Sequence, residues 1–217
     1  NNDRLTNLLS GTRAISWPDS NSAYSYLSFF FRGEYNYKEL YYAEVAARTD
    51  ASSRFGKDHR WGMFWSLGFM WNIKNEAFLK DIEWLTNVQI KLSTGTSGNS
   101  EIPYYDHLAL VAGDANYNDE AGIYPKQSGN EELSWEQTWA NNIGLTLGFF
   151  NRVNLNVDFY HKKTTNMLML VPQSYAITGV GNRWDNIGAM MNRGVEIAMD
   201  GDVIRTKDFT WNLSANV

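Results

Sequence analysis

The fold is decided by two short runs, Ile143-Gly144-Leu145-Thr146-Leu147-Gly148-Phe149 and Val153-Asn154-Leu155-Asn156-Val157-Asp158-Phe159. Each run alternates an apolar residue with a small or polar one. Successive side chains of a β-strand point to opposite faces, so this period of two predicts two strands that each have one apolar face. Only the turn Phe150-Asn151-Arg152 separates the runs, and this spacing predicts an antiparallel hairpin.

The same period recurs in three more pairs of segments. They are 27–37 with 41–50, 61–74 with 87–93, and 195–200 with 209–217. Helical periodicity is almost absent. The sequence therefore predicts an all-β, antiparallel architecture of about eight strands arranged as four hairpins.

The connections between the predicted strands alternate between short and long. The short ones are 38–39, 75–85, 150–152 and 205–208, and the long ones are 51–60, 97–134 and 163–190. Short turns on one rim and long loops on the other are typical of outer-membrane β-barrels. Aromatic residues collect near the short turns, as an interfacial girdle requires: Tyr35, Tyr37, Tyr41, Phe149, Phe150, Phe209 and Trp211.

Two other architectures share this periodicity. A soluble carbohydrate-binding β-sandwich also has alternating strands, but its outer faces are usually rich in Lys and Glu, whereas the polar positions here are mostly Gly, Asn and Ser. The predicted strands of about 12 to 15 residues are also longer than the ~5–6 of globular strands. A complete eight-stranded barrel that acts as an anchor or adhesin is the other alternative. The sequence favours a transmembrane barrel and leaves both open.

Composition excludes several classes of protein. Of the 217 residues, 43% are hydrophobic and 15% aromatic, yet no apolar run reaches the roughly 18 residues of a membrane-spanning helix. The absence of cysteine excludes a disulfide scaffold, a cysteine–zinc site and a thiol nucleophile. A net charge of -5 argues against nucleic-acid binding. The chain opens at Asn1 without a recognisable leader, which predicts a processed protein or an internal segment.

Five segments carry a family resemblance. They are 48–56 (RTDASSRFG), Trp61-Gly62 with the strand that follows, 93–99 (STGTSGN), 130–136 (NEELSWE) and 186–196 (NIGAMMNRGVE). In this order they resemble segments of the SusC/RagA-type TonB-linked outer-membrane proteins. Thr94 stands where the family usually has Tyr, and Glu131 where it usually has Pro.

The resemblance implies an active nutrient importer in the outer membrane of Gram-negative Bacteroidetes. In such proteins a plug domain sits inside a 22-stranded barrel, the size class whose lumen is plugged. They take up oligosaccharides or peptides with energy from TonB, and a SusD-like surface lipoprotein covers the barrel. Residues 1–217 are then expected to be part of the C-terminal β-barrel domain, in contact with outer-membrane lipid, with the plug domain and the rest of the barrel absent. The resemblance implies no cofactor.

The sequence contains no convincing catalytic or metal site, and we expect no enzyme. His59, His107 and His161 lack the spacing of metal ligands and are interpreted as rim or loop residues. Asp114, Asn116 and Asn118 place oxygens at alternate positions, as calcium loops do. The glycine at position six and the glutamate at position twelve of such loops are missing, so a solvated polar loop is favoured.

Two groups of residues are candidates for function. Aromatic rings suit both sugars and peptide side chains, which makes the loop aromatics candidate substrate contacts: Tyr104, Tyr105, Tyr117, Tyr124 and Trp184. The alternative is that these rings pack the long loops against one another. The charged residues of the first hairpin, Arg32, Glu34, Arg48 and Asp50, are predicted to face the lumen, where cross-strand pairing is the simpler role.

Overall fold

One antiparallel sheet dominates the structure. The computed structural model describes the backbone of residues 22–117 and 120–217, and the side chains of these residues apart from 114–117 and 121. The elements are β1 (Tyr26–Tyr37), β2 (Tyr41–Ser52), β3 (Trp61–Asn72), β4 (Leu85–Asn99), β5 (Leu110–Tyr117), β6 (Glu120–Gln127), β7 (Glu136–Phe149), β8 (Val153–Thr165), β9 (Leu168–Pro172), α1 (Tyr175–Thr178), β10 (Asn182–Asn186), β11 (Ala189–Arg205) and β12 (Thr210–Asn216). No helix in this part of the chain is long and apolar enough to cross a membrane.

The eight long strands form a single sheet in the order β1-β2-β3-β4-β7-β8-β11-β12. Every neighbouring pair is antiparallel. The prediction of eight strands in four hairpins is thereby confirmed. The elements between them (β5, β6, β9, β10 and α1) lie within the long connections.

The two faces of the sheet differ sharply in chemistry. One row of paired residues runs Phe69, Leu92, Ile143, Phe159 and Val195, and every member is exposed. The adjacent row, on the opposite face, runs Met70, Lys91, Gly144, Asp158 and Glu196. In a sandwich a second sheet would cover the apolar row. Here nothing described covers it, so the sandwich alternative is wrong.

The register shows that the strands are tilted. Tyr37 ends β1, and its row continues through Tyr41, Trp71 and Ile90 to Leu145, five residues before the turn residue Phe150. The turns can lie on one rim only if the strands incline to it, as in a barrel wall. In the described sheet the two outermost strands, β1 and β12, are not paired with each other. A complete eight-stranded barrel, which would need that pairing, does not fit.

Two of the short turns place two successive residues in the left-handed region. Lys38 and Glu39 have φ of 54° and 58°, and Phe150 and Asn151 have φ of 54° and 53°. Two consecutive positive φ values match the right-handed twist of the strands that the turn joins. The predicted girdle aromatics lie at this rim, where Trp84, absent from the prediction, stacks on Phe149 with ring centroids 6.1 Å apart.

The long connections are more structured than the sequence indicated. The segment 97–134, predicted to be without periodic structure, contains the β5–β6 hairpin. The segment 163–190 contains α1 and a pairing of β9 with β10. Their strands are short and β5–β6 has two register shifts, so neither produces the sustained alternation that reveals a strand in a sequence.

The buried apolar core lies in these connections rather than in the sheet. It consists of Phe55, Phe64, Ile102, Leu133 and Trp135, and we call it the rim cluster. A wall one sheet thick has no interior of its own, because one face meets lipid and the other faces the lumen. The rim cluster therefore provides the packing that holds the long connections together.

Candidate functional site

The polar face of β1 to β4 carries two groups of charges. Arg32 contacts Glu34 at 2.6 Å and Glu44 at 3.1 Å, and both partners are exposed. Arg48 contacts Asp50 at 2.7 Å, and the two differ in exposure: 54% for the Arg48 side chain and 5% for that of Asp50. The predicted charged residues thus pair within their hairpin on the face opposite the apolar rows.

A recess of about 320 Å³ opens beside the second pair. Its lining includes Tyr26, Arg48, Asp50, Phe64 and Ser66. The Arg48 guanidinium also donates to the Ser28 hydroxyl at 3.3 Å. The recess therefore offers an aromatic surface next to a half-exposed cation, which suits a polar ligand with an apolar portion.

A larger recess of about 870 Å³ lies on the polar face of β4, β7, β8 and β11. Its lining includes Lys91, Asn142, Asp158, Tyr160, Lys162 and Glu196. Both signs of charge alternate with amide and hydroxyl groups. This surface can donate and accept hydrogen bonds along its length, as sugar hydroxyls and peptide groups require.

Two glycines shape this larger recess. A Cβ on Gly144 would lie 2.5 Å from Oδ1 of Asp158, and one on Gly194 would lie 2.7 Å from the Tyr160 hydroxyl. The absent side chains allow Asp158 and Tyr160 to lie flat across the neighbouring strand. The recess is therefore wider than any ordinary residue at these two positions would leave it.

The long connections hold a second group of functional candidates. Tyr104 stacks on Tyr24 with centroids 5.0 Å apart and planes within 4°. The Arg54 guanidinium lies 5.1 Å from the Tyr104 ring and 5.4 Å from the Tyr24 ring, and it donates to the Ser100 carbonyl at 3.0 Å. Sequence reasoning missed Tyr24 and this role of Arg54, since nothing local links residues so far apart.

The other predicted loop aromatics are spread over the rim. The Tyr105 hydroxyl bonds both backbone groups of Ala23, accepting at 2.8 Å and donating at 3.1 Å. Tyr124 is exposed on β6, and Trp184 is half-buried against the rim cluster. The side chain of Tyr117 lies outside the described residues. Only Tyr104 and Tyr105 are adjacent, and a substrate role for any of these rings stays a prediction.

Two asparagines of the motif segments tie the connections to one another. Asn186 accepts from the Ser134 amide at 2.8 Å and donates to the Ser134 and Asn166 carbonyls at 2.8 and 2.9 Å. Asn130 donates to the Trp184 carbonyl at 3.1 Å and to the Asp185 carboxylate at 3.0 Å. The motif residues therefore bridge chain segments more than 50 positions apart.

A buried ionisable pair lies next to the rim cluster. Burial lowers the pKa of His107, and its Nδ1 has no hydrogen-bond partner among the described atoms. Burial also raises the pKa of Asp106, while a hydrogen bond from Trp184 and the charge of His107 oppose that rise. His107 is thus a buried loop residue rather than a solvated one.

The structure offers no support for metal binding in the part it describes. No group of three or more His, Cys, Asp or Glu residues there has the geometry of a metal site. His59 is exposed in the connection after β2, and His161 lies on the apolar face of β8. The candidate calcium oxygens of Asp114, Asn116 and Asn118 fall outside the described residues.

Comparison with known proteins identifies the fold that carries these features. The family model described as "TonB dependent receptor-like, beta-barrel" matches residues 1–217. The chain belongs to this family. The resemblance noted in the motif segments is thereby confirmed, as are the barrel-segment fold and the outer-membrane location that the family shares.

Relatives of this TonB-dependent receptor segment are found among curated proteins. It is 36% identical over 203 residues to the TonB-dependent receptor SusC of Bacteroides thetaiotaomicron, covering 88% of this chain and 20% of SusC. It is 36% identical over 190 residues to the TonB-dependent receptor P39 of Formosa agariphila, covering 87% of this chain and 18% of P39. The chain thus spans about a fifth of the length of these relatives.

Solved structures agree with this assignment. The structure of the RagAB peptide transporter superposes with a TM-score of 0.85 at 39% identity, covering 99% of this chain and 24% of that one. The siderophore receptor PirA from Pseudomonas aeruginosa shares the fold alone, with a TM-score of 0.59 at 14% identity over 89% of this chain and 34% of PirA.

Proposed function

We propose that this chain forms part of the wall of an outer-membrane importer that takes up oligosaccharides or peptides with energy delivered by TonB. In this proposal residues 1–217 belong to the C-terminal β-barrel domain, and the plug domain and remaining strands lie in other parts of the protein. The observation that carries it is the polar face with its two recesses, on a sheet whose other face is apolar. A solute that crosses such a barrel meets the polar face. No enzymatic activity is part of the proposal.

The chemistry of the larger recess supports both solute classes. Lys91, Lys162, Asp158 and Glu196 can bind the charged ends and side chains of peptides, and Asn142 can bind sugar hydroxyls. The RagAB neighbours, described as peptide importers, support peptides as the first class to test. The two classes can be separated by direct uptake measurements.

A SusD-like lipoprotein is the partner that we propose for the long-connection rim. Apolar side chains are exposed there on β5, β6 and α1, namely Val111, Ile123, Tyr175 and Ile177, the last at 86% exposure. A Cβ on Gly179 would lie 3.5 Å from Pro125, so α1 and the β5–β6 hairpin are neighbours. Adjacent exposed apolar residues at the water-facing end of a barrel favour a protein partner.

The transport proposal can be tested in the source bacterium. Uptake of fluorescent peptides and of fluorescent oligosaccharides would be measured with the full-length gene present, deleted and restored, and with TonB inactivated. We expect deletion and TonB inactivation each to abolish uptake of one class. Unchanged uptake of both classes after deletion would refute the proposal.

The partner proposal has its own test. The full-length protein with Ile123→Asp and Ile177→Asp would be purified and compared with Phe78→Asp, which alters an exposed apolar residue in the connection between β3 and β4. We expect the double variant to lose a co-purifying lipoprotein and the control to retain it. Retention by the double variant would exclude this surface.

A further inference from the structure

Basic side chains end the apolar face of β8 and β11. Lys163 and His161 follow Phe159 at two-residue steps on β8, and Arg193 precedes Val195 by two residues on β11, so all three share the apolar face. Arg193 is directly opposite His161. Neither Lys163 nor Arg193 takes part in any ion pair found between described residues.

These cations lie at the level of a membrane interface. Trp139 pairs with Lys163, is 50% exposed, and donates its indole N–H to Thr94 at 3.0 Å. A half-exposed tryptophan with its N–H satisfied is typical of the headgroup region. Phe149 ends the apolar face at the other rim, ten residues away. At ~3.3 Å per residue and a tilt of about 40°, this distance corresponds to the apolar band of roughly 25 Å in outer-membrane barrels.

The two cations lie at almost equal height. Lys163 is 12 residues after the turn residue Asn151, and Arg193 is 13 residues before Thr206 at the next turn. Because the short turns share one rim, these distances place both side chains in the same plane. Their strands are direct neighbours, so the two side chains can reach one ligand.

The same level has a different composition on other strands. On β1 and β3 it is occupied by Phe29 and Trp61, which stack with centroids 6.4 Å apart, and on β7 by Trp139. The aromatic girdle is thus replaced by cations on β8 and β11 only. Completion of the barrel would not cover this outward face, because added strands join at the sheet edges.

We propose that Lys163 and Arg193, with His161 beside them, bind the phosphate of a phosphorylated lipid in the outer leaflet. Arg and Lys form charge-assisted hydrogen bonds with phosphate oxygens, and Arg can do so with two parallel donors. The acyl chains of the lipid would lie against Phe159 and Val195, directly below the cations. The site is on the lipid-facing surface and is separate from the polar recesses proposed for transport.

The experiment uses the full-length protein in detergent and native mass spectrometry to count bound lipid. Lipid A that carries phosphate and the same lipid without phosphate would be titrated into the wild type and Lys163→Gln/Arg193→Gln. Lys38→Gln/Lys207→Gln is the matched control, since it removes two positive charges from turns at the opposite rim. We expect the site variant to lower the affinity for phosphorylated lipid A by on the order of tenfold or more and the control to leave it unchanged.

Three outcomes would overturn the proposal. The first is equal binding of phosphorylated lipid by the site variant and the wild type. The second is equal affinity of the wild type for lipid with and without phosphate. The third is that Lys163 cross-links to another protein in intact outer membranes and not to lipid. Heat-dependent gel mobility would show that each variant is folded, and free inorganic phosphate would be added to confirm that it does not replace the lipid.

Discussion

The indole Nε1 of Trp135 donates a hydrogen bond of 2.9 Å to the carbonyl oxygen of Arg60, 75 residues earlier in the chain. The same ring lies 5.4 Å from the Phe55 ring and 5.3 Å from the Phe64 ring. One side chain therefore joins the start of β7, the connection after β2, and β3.

We expect Trp135→Ala to destabilise the rim cluster by about 3–5 kcal/mol, because it opens a large cavity among buried rings. Trp135→Phe should cost about 1 kcal/mol, mainly through the lost hydrogen bond to Arg60. Hydrogen–deuterium exchange of residues 51–60 and 100–135 in the full-length protein measures both effects. Trp139→Ala, on the lipid-facing surface, is the control and should leave exchange in these segments unchanged.

Gly56 tests how closely two connections approach. A Cβ at this position would overlap with the backbone carbonyl oxygen of Glu131, which cannot rotate away. We expect Gly56→Ala to separate the two connections and to increase proteolysis between residues 51 and 60. Gly113→Ala is the matched control, since nothing lies within 4 Å of the place that its Cβ would occupy. Equal proteolysis of the two variants would show that the connections can move apart at no cost.

The two faces of the sheet predict opposite responses to one substitution. Val157 pairs with Leu145 and Ile197 on the apolar face, and we expect Val157→Lys to cost about 2–4 kcal/mol and to impair membrane assembly. Asn156→Lys places the same charge on the polar face and should cost about 1 kcal/mol through the lost hydrogen bond from Thr146. The yield of heat-modifiable protein in outer membranes checks this difference, and equal yields would contradict the assignment of the faces.

The charged pairs of the first hairpin should differ in their contribution to stability. Arg48→Gln leaves the buried carboxylate of Asp50 without its cation and should cost about 1–3 kcal/mol. Arg32→Gln removes a cation whose partner Glu34 is 63% exposed, so it should cost less than about 1 kcal/mol. Urea unfolding of the two full-length variants would measure the difference, and equal midpoints would rule out a special role for Asp50.

The stability of the rim cluster should depend on pH. Because burial lowers the pKa of His107, the folded connections bind fewer protons than the unfolded ones below the ordinary histidine pKa of about 6.5. The contribution is complete above that pH and is lost as the pH falls below it. Exchange protection of residues 100–135, corrected for intrinsic rates, should therefore decline from pH 7.5 to 5.5. His107→Asn should remove this decline, whereas the exposed His59→Asn should preserve it.

The loop aromatics show why a candidate site could be predicted only in part. Tyr104 was identifiable as an aromatic in a long connection, but its stacking on Tyr24 and its contact with Arg54 join three distant segments. Likewise the sequence marked Asn130 and Asn186 as motif residues without indicating that they tie the connections together. These contacts leave no periodic trace because each depends on a single pair of residues.

The alternation of apolar and polar residues determined the eight strands, their pairing into hairpins and the two chemically different faces, because side-chain direction in a strand follows from position alone. Only the tertiary structure decided how the long connections fold, that the buried core lies among them, and that Lys163 and Arg193 are level on neighbouring strands. These features depend on register and on packing between residues far apart in the chain, and neither is encoded in a local pattern.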